Sequence, residues 1–478
     1  MARAQATGWT DDNMSGGTMG LARRATGTHG EAVLGSARVA LSVGLLGLSV
    51  GLIGATHPAR AQMEWANKIF GLPTTTSSFE RQPQGKAQKE APPDDLRTGD
   101  QPLRSEGMLK ALDLAFGRYK AIAQKGGWPA IPTSRMIRPG DDDERVPIVR
   151  KRLRATGELR SSDSFQSFSF DSELEAAVRR FQQRHGLAVS GRIDRGTIAA
   201  MNIPVQARMA QIKLNYDRVA ALVDNGAMRD ERYVVVNVPG YQLEAVEGGK
   251  VALRHRVIAG RPGRETPVVK ASVRALNFFP YWRVPDSIAK LDVAPRLVKE
   301  PEYLGKEQIR VLSGNFNGPE IDATRIDWAS FDPVTTKLRQ DPGPQNALGL
   351  VRLDMPNEHG VYMHDTPMKP LFGRAQRAFS AGCVRVQDVF DLAAWLAKDE
   401  PGMDRRRVDE IVAGGVPVDI TLARPVPVYF IYLTAWADES GNAEFRPDVY
   451  GRDGLRELST DREHDPDAPP LPPPTLAP

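Results

Sequence analysis

The sequence predicts an α+β protein, in which a mostly antiparallel β domain carries an insertion and follows a small all-α module and a helical scaffold. In the N-terminal half, apolar residues recur at helical spacing, for example Leu174, Ala177, Val178 and Phe181. From Arg232 onward, β-branched residues alternate with other residues between Pro-Gly and Gly-Gly turns. No strand–helix alternation with a glycine-rich phosphate loop occurs, which disfavours a parallel doubly wound sheet.

Length and composition limit the classes of protein to consider. A chain of 478 residues is too long for one hydrophobic core, so several folded units are expected. The balance of 63 basic against 59 acidic residues gives a net charge of +4, which argues against a nucleic-acid partner bound through phosphates. Cys383 is the single cysteine, so no intramolecular disulfide can form. In an exported protein such a thiol is either accidental or reactive.

The first 61 residues have the layout of an export signal. Residues 39–55 contain no charge, Arg23, Arg24 and Arg38 precede them, and the sequence Ala-Arg-Ala at 59–61 fits a cleavage site. We therefore predict that residues 1–61 are a signal peptide or an uncleaved N-terminal anchor, with a buried core helix as the remaining alternative. Either export reading places the folded part outside the cytoplasm.

Three further segments are predicted to be unstructured, scaffold-forming or a terminal extension. Residues 62–104 are rich in Pro, Gln, Lys, Thr and Ser and are predicted to be a disordered tether. Residues 105–145 begin with a helical repeat of apolar side chains and are predicted to form a helical scaffold segment. Residues 438–478 form a C-terminal extension that ends in a proline-rich tail.

Residues 146–205 are predicted to be a separate helical module. Asp171 is a candidate N-cap and Gly186 a candidate stop signal for its central helix. The pattern RxFQxxxGLxxxGxxDxxTxxxMN, beginning at Arg179, resembles the peptidoglycan-binding domain 1 family. That resemblance implies a wall-binding module, and the alternative is a generic helical hairpin whose Phe181 and Leu187 are only core residues.

Residues 230–437 are predicted to form the β domain, with an insertion at about 289–340 that has no strand periodicity. A helix is expected directly after the cysteine, at 387–397. Besides the strands that follow Arg232, strands are expected at 268–277, 349–355, 360–364, 416–422 and 428–432.

The candidate site centres on Cys383, which follows Gly382 and lies nineteen positions after His364. A thiol with a pKa near 8.5 needs a base to become a nucleophile, and a nearby imidazole can take its proton. The helix at 387–397 begins just after Cys383, so its positive N-terminal end is expected to lie close to the thiol and favour the thiolate. The amides of Gly382 and Cys383 could bind a developing oxyanion. The alternative is a cysteine that is only a small buried apolar side chain.

The stretch VYMHDTP followed by FSAGCVRV closely resembles the signature of YkuD-type L,D-transpeptidases. The chain departs from the usual form at Ala381, where many members have a second histidine, so direct use of a second histidine is in doubt. The segments GRPGRETP and FFPYWRVPDSI resemble the large capped subgroup of diderm bacteria. In that subgroup the insertion is a cap within the catalytic domain.

The resemblance implies roles for individual residues. Cys383 would be the nucleophile and His364 the general base, and the backbone carbonyl of Asp365 would orient the imidazole. Gly382 and Cys383 would supply the oxyanion donors. Arg385 and Ser380 are the implied substrate-binding residues, although a surface salt bridge for Arg385 and a hydrogen bond within the loop for Ser380 are alternatives.

The resemblance also implies a reaction. Cys383 would be acylated by tetrapeptide stems of peptidoglycan and would pass the acyl group to a diaminopimelate acceptor, which forms 3→3 cross-links in the periplasm. No cofactor or metal is expected, because no second thiol and no zinc-binding His spacing occurs. The alternatives are a hydrolase on the same scaffold, which cleaves stems or protein-to-wall links, and a non-catalytic peptidoglycan-binding protein.

Overall fold

The computed structural model describes residues 95–160, 167–224 and 230–455. The predicted signal or anchor, residues 62–94 of the predicted tether and residues 456–478 of the tail lie outside this part of the chain. Within the described ranges, no helix combines the length and the apolar character that crossing a membrane requires.

The described residues form only helices and isolated bridges up to residue 224, and strands with interspersed helices from residue 232 onward. The helices are α1 (Glu106–Gln124), α2 (Val146–Ala155), α3 (Ser172–Arg184), α4 (Arg195–Asn202), α5 (Val205–Asp224), α6 (Asp286–Ile288), α7 (Ala294–Leu297), α8 (Tyr303–Lys306), α9 (Val389–Leu396) and α10 (Arg405–Gly414). The strands are β1 (Arg232–Asn237), β2 (Gln242–Glu247), β3 (Lys250–Gly260), β4 (Val269–Phe278), β5 (Trp282–Arg283), β6 (Ile309–Ser313), β7 (Thr336–Gln340), β8 (Val351–Asp354), β9 (Met363–His364), β10 (Ala378–Ser380), β11 (Val384–Val386), β12 (Val418–Ile431), β13 (Ala435–Ala437) and β14 (Ala443–Phe445).

The largest sheet of the described chain has nine strands in the order β10-β3-β11-β9-β8-β4-β12-β1-β2. Strand β2 also pairs with β3, so the sheet closes on itself. Six of its strand pairings are antiparallel and three are parallel. The predicted α+β class with mostly antiparallel strands is confirmed.

Both faces of β1 are buried, because helices cover the sheet on each side. Val234 and Val236 belong to the core that includes α9 and α10, whereas Tyr233 and Val235 belong to the core that includes α1 and α5. Successive side chains of a strand point to opposite faces, so one strand serves two cores. Burial of each such side chain contributes roughly 1.5–3 kcal/mol.

Helices α2, α3 and α4 form the small all-α module that the sequence predicts. Asp171 accepts a hydrogen bond from the Leu174 N–H, and Asp194 accepts one from the Thr197 N–H, so both helices have side-chain N-caps. The module core extends upstream of residue 146, since Ile137 is fully buried in it and bridges to Ile193. The part of the predicted scaffold segment around Ile137 therefore belongs with the module.

The scaffold itself consists of α1 and α5, which pack against each other. The sequence analysis did not identify α5, whose apolar and polar residues are not clearly segregated: Arg208, Gln211 and Asn215 are buried on it beside Ile212 and Val219. An amphipathic stripe is the signal by which a helix is found in a sequence, and this helix has only a weak one.

The predicted tether ends earlier than residue 104. Arg97 forms a buried ion pair with Glu244 at 2.9 Å, and Leu103 is fully buried in the core that includes α1. The boundary at 104 is wrong because these contacts join residues more than 140 positions apart, which composition does not show.

The insertion contains strands that the sequence analysis did not predict. Strands β5, β7 and β6 form a separate antiparallel three-stranded sheet over a core that includes Trp282, Val293 and Leu338. Both β6 and β7 are only five residues long, so period-two alternation is hard to recognise in either. A π-helix over Ala289–Val293 links α6 to α7.

The predicted strands 416–422 and 428–432 are one strand, β12, of fourteen residues. Its register with β4 shifts between Thr421 and Val426, at a segment that contains Pro425. Proline cannot donate a hydrogen bond to a neighbouring strand, so its presence led the sequence analysis to end one strand and begin another. In the structure, the irregular register accommodates Pro425 within one continuous strand.

The C-terminal extension is structured up to residue 455. Strand β14 pairs with β13, and Phe445 is buried in the core that includes α1. The Tyr450 hydroxyl donates to the Gly260 carbonyl at 2.6 Å. The described part of the extension, residues 438–455, therefore supports the domain. The rest of the extension, residues 456–478, lies outside the described part of the chain.

Candidate active site

Two paired strands bring His364 and Cys383 close together. Strands β9 and β11 run parallel, with Met363 opposite Val384 and His364 opposite Arg385. Cys383 immediately precedes β11. Neighbouring strands lie about 4.8 Å apart and rise about 3.3 Å per residue, so the Cα atoms of His364 and Cys383 are about 8 Å apart.

Tyr362 contacts both groups and was not identified from the sequence. Its ring centroid lies 5.7 Å from that of His364. Burial raises the pKa of the Cys383 thiol, against hydrogen bonds from the backbone and side chain of Tyr362 that lower it. Burial raises the pKa of Tyr362 too, and the nearby Cys383 adds to that effect. Tyr362 lies two residues before His364, and residues two apart in a strand point to the same face. This spacing was the signal by which Tyr362 could have been identified from the sequence.

His364 is held in one orientation and stays neutral. Its Nδ1 is 2.5 Å from the Asp365 carbonyl oxygen, which assigns the proton to Nδ1 and leaves Nε2 as the basic nitrogen. Burial, and then the charge of Arg385, lower the pKa of His364 to about 3, against hydrogen bonds to the backbone of Asp365 and Leu348 that raise it. With the raised pKa of Cys383, the resting pair is a neutral thiol beside a neutral imidazole.

Asp365 acts here through its backbone. Its carbonyl orients His364 as the sequence analysis expects, but its carboxylate points elsewhere. The carboxylate accepts a hydrogen bond from the Leu350 N–H at 2.9 Å and pairs with Lys369. Gly349 lies against it so closely that a Cβ there would be 2.3 Å from Asp365 Oδ2. The side chain therefore fixes the β8–β9 region rather than the imidazole.

The loop before the thiol is organised by Ser380. The Ser380 hydroxyl donates to the Cys383 carbonyl at 2.5 Å and accepts from the Gly382 N–H at 3.2 Å. Ser380 is only 2 % exposed, so the structure corrects its expected substrate-binding role to a hydrogen bond within the loop. Gly382 has φ +119, a conformation that favours glycine.

Of the two expected oxyanion donors, one is already occupied. The Gly382 N–H donates to Ser380, whereas the Cys383 N–H forms no hydrogen bond to the residues that the structure describes. The Cys383 amide is therefore the donor that remains available for a developing oxyanion.

The expected help from a helix N-terminus is wrong. Strand β11 separates Cys383 from α9, which begins at Val389. Three strand residues alone span about 10 Å, and the effect of a helix dipole falls off within the first turn. The thiol must therefore be activated by neighbouring side chains.

The GRPGRETP segment, residues 260–267, supports the loop before Cys383 through hydrogen bonds of Thr266. The Thr266 hydroxyl donates to the Gly382 carbonyl at 2.7 Å and accepts from the Gly260 N–H at 2.8 Å. A Cβ at Gly260 would be 2.2 Å from the Arg264 carbonyl oxygen, so the segment folds tightly on itself. The cap reaches this segment through Asp292, which forms an ion pair with Arg261 at 3.4 Å.

Arg385 is buried at 4 % exposure, which rules out the alternative of a surface salt bridge. Burial lowers the pKa of Arg385 to about 10, so it stays charged at neutral pH. Its charge lowers the pKa of both His364 and Cys383. It therefore favours the thiolate and disfavours the imidazolium.

His359 and His255 are separate from this site. His359 lies exposed in the turn before β9, and His255 is buried on β3. Across the three described ranges, no group of three or more His, Cys, Asp or Glu residues is arranged to hold a metal ion.

Buried neutral histidines make stability depend on pH. The pKa of His364 is lowered to about 3 and that of His185 well below its usual value, in both cases by burial first. Below pH 6.5 these two histidines bind protons in the unfolded chain but stay neutral in the folded chain. The free energy of unfolding therefore decreases as the pH falls. For His364, the loss should be about 2 kcal/mol at pH 5.

The measurement is the free energy of unfolding in urea at pH 7 and pH 5, for the wild-type protein and His364→Asn. The loss between the two pH values should be about 2 kcal/mol smaller in the variant. Equal losses would show that His364 titrates normally in the folded state.

Two protein-family models match parts of this chain. Residues 231–420 match the YkuD family model, described as "L,D-transpeptidase catalytic domain". Residues 142–201 match a second model, described as "Putative peptidoglycan binding domain". Both matches fall on the domains that the resemblance in the sequence indicated.

Individual relatives match only in part. A curated protein of Haemophilus influenzae named "Putative L,D-transpeptidase" is 34% identical over 232 residues, which are 48% of this chain and 46% of that protein. A "Probable CtpA-like serine protease" of Staphylococcus haemolyticus is 27% identical over 146 residues, 30% of this chain and 27% of that protein. The chain thus spans less than half the length of the curated relatives it matches. The crystal structure of an L,D-transpeptidase from Stackebrandtia nassauensis is 13% identical, covers 63% of this chain and 96% of its own, and has a TM-score of 0.22.

Proposed function

Because the chain contains a YkuD-type L,D-transpeptidase catalytic domain and a peptidoglycan-binding domain, we propose that it forms 3→3 cross-links between peptidoglycan stems through Cys383. The observation that carries this proposal is the arrangement of Cys383 beside β9, where Tyr362 contacts both the thiol and the ring of His364. A nucleophile next to an oriented base is the requirement for acyl transfer.

In the acylation step, Cys383 Sγ attacks the carbonyl carbon at the L-centre of meso-diaminopimelate in a tetrapeptide stem. Nε2 of His364 takes the thiol proton, and the Cys383 N–H binds the oxyanion. Collapse of this intermediate breaks the C–N bond to the terminal D-alanine, whose nitrogen receives the proton from His364. The products are free D-alanine and a thioester on Cys383.

In the transfer step, the side-chain amine of a second diaminopimelate attacks the thioester carbonyl. His364 takes a proton from that amine and returns it to the departing sulfur, which restores the neutral pair. The low pKa of His364, about 3, keeps the imidazolium short-lived, so each proton moves together with bond formation.

The peptidoglycan-binding domain raises the local concentration of stems at the catalytic domain. The cap, attached through Asp292 and Arg261, would exclude water and so favour transfer to an amine over hydrolysis. A peptidoglycan substrate supports a location in the periplasm, and so does the export signal predicted for residues 1–61.

The test incubates the purified protein with disaccharide tetrapeptides and resolves the products by mass. We expect cross-linked dimers and free D-alanine, and at least about a 10³-fold lower rate for Cys383→Ala. Tripeptide monomers without dimers would instead indicate a hydrolase. Absence of both products in the wild-type protein would indicate a non-catalytic peptidoglycan-binding protein.

A further inference from the structure

Two buried guanidinium groups lie where the peptidoglycan-binding module meets the scaffold. Arg152 on α2 is fully buried, and Arg208 on α5 is 3 % exposed. Tyr119 on α1 and His185 at the end of α3 are buried beside them. We call these four residues the junction cluster.

Neither guanidinium forms an ion pair with a carboxylate of the described chain. Arg152 donates to the Met201 carbonyl and to the Thr156 hydroxyl, both at 2.8 Å. Arg208 donates to the side-chain oxygen of Gln211 at 2.8 Å. All of these acceptors are neutral.

The charge of Glu158 acts on Arg152, but the carboxylate of Glu158 already forms an ion pair with Arg184 at 2.7 Å. Burial lowers the pKa of Arg152 to about 10 and that of Arg208 to about 9, so both remain protonated at neutral pH. Among the described residues, neither buried guanidinium therefore has a carboxylate of its own.

Four polar atoms of the junction cluster also form no hydrogen bond to the described residues. They are Arg152 Nη2, Arg208 Nε, Tyr119 Oη and His185 Nε2. Aromatic rings place them together: the Phe445 ring lies 5.6 Å from Tyr119, 5.5 Å from His185 and 4.4 Å from the Arg208 guanidinium carbon. The Arg152 guanidinium lies 5.2 Å from the Phe181 ring, which stacks on His185.

Buried donors without partners are destabilising, and buried charges without counter-charges are more so. We propose that the junction cluster binds one small monovalent inorganic anion of the size of chloride, with Arg152 Nη2, Arg208 Nε and the Tyr119 hydroxyl as donors. A water molecule would complete the hydrogen bonds but leave both charges unbalanced. The anion supplies the missing charge.

The anion would join two structural units. Tyr119 and Arg208 come from the scaffold helices, whereas Arg152 comes from the peptidoglycan-binding module. A ligand that binds only the folded protein stabilises it by RT ln(1 + [L]/Kd), so the stabilisation grows with the free ligand concentration. The site therefore holds the module against the catalytic part of the chain, and it is independent of the proposed reaction.

Crystals of the whole protein grown in bromide test the site directly. We expect an anomalous peak within hydrogen-bond distance of Arg152 Nη2 and Arg208 Nε. A site that shows density at this position without an anomalous signal would contain a water molecule only, and the proposal would be overturned.

Thermal unfolding provides the second measurement. The Tm should rise with chloride concentration and keep rising in proportion to its logarithm above Kd, relative to gluconate at matched ionic strength. Arg208→Met should abolish this anion-specific shift, whereas Arg195→Met, at an exposed position on α4 of the peptidoglycan-binding module, should retain it. Equal Tm values of the wild-type protein in chloride and gluconate would contradict the proposal, whether or not Arg208→Met folds.

Discussion

Replacing His364 with asparagine is expected to slow acylation of Cys383 by about 10²–10⁴-fold. The asparagine amide can still donate to the Asp365 carbonyl, as Nδ1 does now, so the local structure should be kept. It has no basic nitrogen in place of Nε2. Stopped-flow measurement of carbapenem acylation isolates this step, because no acceptor amine is involved.

The pH profile separates a base from a merely structural residue. In the wild-type protein the rate should be flat from about pH 5 to about pH 8, since His364 is neutral and Cys383 protonated throughout. In His364→Asn it should rise about tenfold per pH unit, because only the thiolate then reacts. His359→Asn, the same change at a histidine whose side chain is 43% exposed, should match the wild type. An unchanged rate and profile in His364→Asn would show that another group takes the proton.

Replacing Glu244 with alanine is expected to lower the free energy of unfolding by about 3–5 kcal/mol. Its side chain is completely buried and accepts hydrogen bonds from Arg97 at 2.9 Å, from the Leu103 N–H at 2.8 Å and from Arg254 at 3.1 Å. Without the carboxylate, the buried cation of Arg97, the partly buried cation of Arg254 and an amide lose this acceptor. Urea denaturation monitored by tryptophan fluorescence measures the effect.

Glu247→Ala is the matched control, on the same strand β2. Glu247 is partly exposed and pairs with Lys398 at the surface, an interaction worth at most about 1 kcal/mol. In Glu244→Ala, but not in Glu247→Ala, residues 95–104 should also become sensitive to limited proteolysis. Similar stabilities of the two variants would mean that residues 95–104 are not held through Glu244.

The sequence was sufficient for the parts of the molecule that are specified locally. The stripe of Leu174 and Phe181 and the N-cap Asp171 lie within one helix or one turn of it, and all were found. The histidine and cysteine could also be singled out, because the stretches around them resemble the signature of YkuD-type L,D-transpeptidases. Their environment could not be derived in the same way.

Contacts between distant residues account for most of what was missed. Thr266 donates a hydrogen bond to the Gly382 carbonyl in the loop before Cys383, although Gly382 lies 116 positions further along the chain. Tyr362 gains its place beside the thiol only when β9 and β11 pair in parallel. The helix after Cys383 was predicted, but strand β11 between them was too short to recognise, so the helix dipole was wrongly credited with activating the thiol.

Intact-mass analysis of the protein treated with a carbapenem, followed by peptide mapping, tests most directly whether Cys383 is the nucleophile. We expect one adduct per chain, located on the peptide that contains Cys383 and absent from Cys383→Ala. An unmodified wild-type protein, or an adduct that persists in Cys383→Ala, would contradict the assignment of the thiol and with it the proposed reaction.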